Sequence, residues 1–196
     1  MKYNPTIEIK SFKPALSLSE ETLAFTGRLY IDNKPVAELS NRGHGDPVDW
    51  RPVRTKATDD APYGVEDPKA VKALDDLQKA IASAPTAHTK SGFDLNPDMY
   101  WFLAELAELT LRRQKDKRQV AGKSWVRFDG HEYDNGGWHV FKIKWTPENR
   151  ARLEERHGRV VESFNDQVAN SCGPIKFAQV LAEMGSYVES EECINR

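Results

Sequence analysis

Apolar and polar positions alternate along the first forty residues. Glu8 and Lys10 interleave with Ile7 and Ile9, the two-residue period of a strand with one buried face, and Pro14 ends it. Between Leu23 and Ile31, Phe25, Leu29 and Ile31 fall on one face and Arg28 and Tyr30 on the other. Asp32-Asn33 is a turn signal, and Pro35 to Leu39 reads as a returning strand. Pro35 has no N–H to donate, which places it at a sheet edge or a strand start. The pattern predicts an antiparallel meander of two or three strands. From Asn41 to Glu66 no apolar period holds, and Pro47, Pro52, Pro62 and three glycines mark an irregular loop. Loops of that length usually bind something or are disordered.

The period then changes from two to nearly four. Asp67-Pro68 and Asn96-Pro97 each place an N-cap acceptor before a proline suited to the first helical position. Behind them, Val71, Leu74, Leu77 and Ile81 form one helical stripe, and Met99, Phe102, Leu103, Leu106 and Leu109 form a wider one. A second hairpin follows, with Trp125 to Phe128 and Trp138 to Trp145 flanking a polar turn. His139, Phe141, Ile143 and Trp145 share the face of its return strand expected to be buried. Thr146-Pro147-Glu148 opens a third helix that His157-Gly158 closes. Val160 to Val168 suggests a further short helix. Pro174 to Met184 suggests a last one, before an acidic tail from about residue 186 that is expected to be mobile.

Strands segregate from helices in this order, which defines an α+β fold. The expected architecture is a single domain over residues 1–196. Its two strand groups join in one antiparallel sheet covered on one face by helices, and Phe102, Leu103, Leu106, Phe141 and Ile143 share one core.

Composition narrows the function classes. The 196 residues are 39% hydrophobic and 30% charged with a formal charge of -2, so no global charge marks a nucleic-acid or membrane protein. The opening residues lack the apolar run of a signal peptide, and no stretch approaches the length of a membrane span. Cys172 and Cys193 have neither a CxxC nor a zinc-ligand spacing. Together these features predict free thiols and a cytoplasmic protein without a membrane partner.

Three segments carry candidate chemistry. In Asn41-Arg42-Gly43-His44-Gly45-Asp46, the glycines let the backbone bend sharply and approach a ligand, Arg42 adds charge, and His44 with Asp46 can move a proton or hold an ion. The same glycines also suit a hairpin exit whose aspartate bonds local amides. Trp50, just beyond, extends this surface. From Arg112 to Arg127 seven cations (Arg112, Arg113, Lys115, Lys117, Arg118, Lys123 and Arg127) meet one acid, Asp116. Such a cluster fits phosphates, with Trp125 stacking on a base, or an acidic protein surface. It also fits a solvated helix end, where cations complement the macrodipole. The turn with Asp129, His131, Glu132 and Asp134 offers oxygen and imidazole ligands, but its spacing misses the EF-hand pattern. A polar hairpin tip accounts for it, and neither a metal nor a cofactor is expected. Templates for Ser-His-Asp catalysis, P-loops, dinucleotide loops and zinc proteases are not matched.

The segments Ile7 to Pro14, Leu18 to Thr22, Leu29 to Lys34 and Asn41 to Asp46, with Lys142 to Glu148, resemble a loose group of uncharacterised small proteins of phages and bacterial mobile elements. The resemblance implies context rather than chemistry: proteins of that setting often modulate a host machine or a host defence complex by binding it. The expectation is therefore a non-enzymatic accessory protein in the bacterial cytoplasm. Its partner would be a host protein or nucleoprotein complex, with nucleic acid possible through residues 112–127. The alternative is a metal- or histidine-dependent phosphoesterase or nucleotide-processing enzyme built around His44 and Asp46.

Overall fold

Alternation in the first forty residues becomes three strands of a four-stranded antiparallel meander. Its strands β1 (Ile7–Pro14), β2 (Phe25–Ile31), β3 (Lys34–Asn41) and β4 (Asp49–Pro52) pair in sequence order. The computed structural model describes residues 3–58, 60–88, 94–131, 137–171 and 173–190. Register sets Ile9 opposite Leu29 and Leu29 opposite Ala37, so Ile7, Ile9, Leu29, Ile31, Ala37 and Leu39 are all buried. Asp32 and Asn33 both have positive φ, as a two-residue hairpin with the twist of its strands demands. The stretch read as irregular therefore supplies a fourth strand, which covers the edge of β3 that the meander left open.

This meander belongs to the first of two compact units, Met1–Thr110 with Pro174–Arg196; the second is Leu111–Gly173. Against β3 and β4 lies α1 (Pro68–Ala82), with Asp67 accepting from Lys69 N at 2.8 Å and with Ala70, Leu74, Leu77 and Ile81 buried. The short strands β5 (Ala87–His88) and β6 (Asp94–Leu95) pair with each other. They lead into α2 (Met99–Val120), whose start differs from the sequence reading. Asp98, not Asn96, accepts from the first turn, at 2.7 Å from Trp101 N. Phe102, Leu103 and Leu106 are fully buried in this unit. Phe177, opening the last helix (Phe177–Ser190), packs at a tilt against Phe102 and edge to face against Tyr3, with ring centroids 5.4 Å away in each case.

In the second unit β7 (Ser124–Phe128) is the central strand, flanked by β8 (His139–Phe141) and β9 (Val160–Ser163). Two helices complete it, α3 (Pro147–His157), capped by Thr146 Oγ1 at 3.2 Å from Asn149 N, and α4 (Phe164–Ser171). Val126, Phe128, Leu153 and Val160 form its core, with Phe141, Ile143 and Trp145 against it.

The fold class is α+β, as expected, but two details change. The strand groups make separate sheets rather than one, because each finds its missing strand nearby: β4 pairs with β3, and β9 pairs with β7. Val160-Val161, read as helical, is that extra strand, and two β-branched residues in a row favour it. Consequently Phe141 and Ile143, partly buried, pack against the core of the second unit, while Phe102, Leu103 and Leu106 are buried in the first. Among the described residues no helix is long and apolar enough to cross a membrane. Cys172, Cys193 and the tail beyond Ser190 fall outside the described residues.

Candidate functional site

The loop after β3 is held from beneath by the segment Ser19–Thr22. The Gly43 carbonyl accepts from the backbone N–H groups of Glu20 and Glu21, both at 3.0 Å. Gly43 N donates to Asn41 Oδ1 at 2.7 Å, Asn41 Nδ2 donates to the Asp46 carbonyl at 3.0 Å, and Gly45 N donates to Thr22 Oγ1 at 3.3 Å. Gly43 and Gly45 have φ of +90° and +84°, and a Cβ on either would collide, with the Leu18 carbonyl or the Glu21 carboxylate. Their glycines thus serve backbone geometry. His44 Nδ1 is 3.2 Å from Glu20 Oε2, yet both side chains are more than half exposed. Arg42 and Asp46 are exposed, and they line an open groove of about 730 Å³ on the outer side of the meander. Arg28 and Glu38 pair across its floor at 2.9 Å; His44 is not among the residues lining it. Trp50 is half-buried in β4 opposite Leu39.

The basic stretch lies wholly in the second unit. It runs from the last turns of α2 through Gly122, at φ +69°, into β7. Asn165, a buried residue that sequence reading missed, fixes this connection. Its Oδ1 accepts from Trp125 N at 2.8 Å and its Nδ2 donates to the Lys123 carbonyl at 2.7 Å. Nothing in its sequence setting announces that role, because its partners are forty residues earlier.

The cations divide into two sets. Arg127 stacks on the Trp138 ring at 4.6 Å and pairs with Glu162 at 2.8 Å, and half-buried Arg113 donates to the Gly173 carbonyl at 2.6 Å. These two stabilise the fold. Lys115, Lys117, Arg118 and Lys123 are exposed and, among the described residues, form no ion pair; Arg112 is exposed as well. Trp125, proposed for base stacking, is half-buried. Its indole N–H donates to the Gln119 carbonyl at 3.2 Å and its ring sits edge-on to Phe164.

The hairpin turn is described only in part, since Glu132 and Asp134 lie outside the described residues. His139 is exposed, which corrects the expectation of a core histidine. It shares the inner face of β8 with Phe141, as alternation predicts, but the core does not extend to this end of the strand. Among the described residues no three His, Cys, Asp or Glu side chains are grouped to hold a metal ion.

Comparison with protein-family models, with curated proteins and with solved structures finds no match for this chain in any of the three.

Proposed function

We propose that this chain is a non-enzymatic accessory protein that docks by charge onto an acidic surface of a host protein complex. The observation that carries the reading is the division of the basic stretch. Two of its arginines are committed to the fold, whereas Lys115, Lys117, Arg118 and Lys123 reach solvent without an acidic partner among the described residues. In a chain of net charge -2, four such cations on one short segment give a directed positive field.

Its rigidity supports a docking role. The segment is anchored by a helix on one side and by the Asn165 clamp on the other, so little ordering cost attends binding. A protein partner is favoured over nucleic acid because the Trp125 ring, which would stack on a base, is already engaged by Phe164 and Gln119. The resemblance to small proteins of phages and mobile elements makes a host machine or defence complex the natural target.

Affinity capture from a bacterial host lysate tests this with the parent protein and a Lys115→Glu, Lys117→Glu, Lys123→Glu variant. One host complex should be retained by the parent, released steeply by salt and lost by the variant. Equal capture by the variant overturns the reading. Tight binding of the parent to generic duplex DNA or RNA would instead make the target nucleic acid.

A further inference from the structure

Three of the protein's five histidines converge on one phenylalanine. Phe128, the last residue of β7 and almost wholly buried, has the rings of His131, His139 and His157 at 5.5, 5.6 and 5.4 Å from its centroid. They arrive from three places: the residue after the β7 turn, the first position of β8, and the last turn of α3. The register that sets His139 opposite Val126 carries it to the rim of the core, where it meets His131 edge to face. His131 Nδ1 and His139 Nε2 are 3.3 Å apart, and both residues are exposed.

That separation is informative. Two imidazole nitrogens bound to one tetrahedral zinc ion at about 2.05 Å each stand about 3.3 Å apart. Without an ion the same two nitrogens share one hydrogen bond at this distance, one ring donating and the other accepting according to tautomer. An ion would take the place of the shared proton: with each neutral ring protonated on its other nitrogen, both facing nitrogens offer a lone pair, and the soft last side-chain torsion of histidine allows the rings to turn towards it. Phe128 holds the two rings close together before any ion arrives, so binding costs little additional order.

We propose that His131 Nδ1 and His139 Nε2 form a chelate for a divalent transition metal ion of the zinc, nickel and copper group. Imidazole nitrogen suits these ions and not calcium or magnesium, which take oxygen ligands. Among the described residues no third His, Cys, Asp or Glu side chain is grouped with His131 and His139, and the remaining coordination positions go to water or to other donors. The site is independent of the docking surface at the end of α2, and its chelate ring ties together the two ends of the 131–139 connection.

Calorimetric titration of the full chain with Zn²⁺, and separately with Ni²⁺, near neutral pH tests the proposal. Saturable binding at one ion per chain is expected, unaffected by excess Mg²⁺. His131→Ala and His139→Ala should each weaken it by about tenfold or more, and His44→Ala should not. Each substitution strips a ring from Phe128, so metal-free melts of both variants are recorded beside the parent's, and a cooperative melt well above the titration temperature guards against misfolding as the cause of the loss. Histidine ring ¹⁵N spectra give a second readout: the Nδ1 signal of His131 and the Nε2 signal of His139 should shift on zinc addition, and the His44 signals should stay. Absence of saturable binding overturns the proposal, as does binding that survives both substitutions.

Discussion

In the loop from Asn41 to Asp46 the polar groups bond to the chain itself: Gly43 to Glu20, Glu21 and Asn41, Gly45 to Thr22, Asn41 to Asp46. From the end of α2 into β7, Arg113 and Arg127 turn back to the fold, while Lys115, Lys117, Arg118 and Lys123 are exposed and form no ion pair among the described residues. Both segments stand out in the sequence, one through glycines and the other through charge. Glycines flanking a histidine report a backbone that must bend, and here the bend is consumed by packing against Leu18 and Glu21. Charge of one sign cannot be consumed so cheaply, since each cation needs its own acid. A surplus therefore persists at the surface, and it is the better guide to where a partner meets the molecule.

The strongest way to break this contrast is Gly43→Ala. The new methyl would meet the Leu18 carbonyl at a backbone φ of +90°. Positive-φ strain and overpacking should together cost about 3 kcal/mol of stability, read as a lower midpoint in urea unfolding. A variant that unfolds with the parent would mean that the loop relaxes freely and that its glycines serve something other than the fold.

How far the sequence foretold these two regions follows from the range of the interactions involved. Local signals were reliable: the Asp32-Asn33 hairpin, the Asp67 and Thr146 caps and the alternation of β1 and β2 each depend on residues a few positions apart. Pairings across the chain were not. The β4 strand hid in a stretch rich in proline because its partner, not its own pattern, makes it a strand. Val160-Val161 carried too few residues to separate a strand from a helix until β7 supplied an edge. Alternation placed His139 on the correct face of β8, yet no pattern tells where a core ends along a strand, and so its exposure beside His131 was unforeseen. The basic stretch was visible in full as charge. Its division into structural and free cations depended on Gly173 and Glu162, distant in sequence.

That division can be sharpened by single substitutions. Arg113→Ala removes a hydrogen bond from a charged donor to the Gly173 carbonyl and should cost about 1 kcal/mol, since the site is only half-buried. Lys117→Ala, four residues on, should change stability by less than about 0.5 kcal/mol while lowering partner capture and its dependence on salt. Paired urea unfolding and capture measurements on the two variants would separate the roles. If both variants lose stability equally, the free cations are part of the fold and the docking surface lies elsewhere.

The smallest expected effect belongs to His44. Its contact with Glu20, at 3.2 Å, joins two side chains that are each more than half exposed, so water and salt already screen most of their attraction. Thermal unfolding of His44→Ala should match that of the parent within about 0.5 kcal/mol, as should that of Glu20→Gln. The more telling measurement is functional. If the loop is only a clamped turn, His44→Ala should capture the same host complex as the parent and with the same salt dependence. If capture is lost while the fold is intact, the imidazole itself touches the partner and the loop displaces the end of α2 as the contact surface. Purified parent protein incubated with phosphomonoester and phosphodiester substrates closes the remaining route: turnover that disappears in His44→Ala and in Asp46→Asn would make the loop catalytic. Its openness to water and the commitment of its amides to the chain both argue for no turnover, because a general base needs a bound substrate held within hydrogen-bond reach.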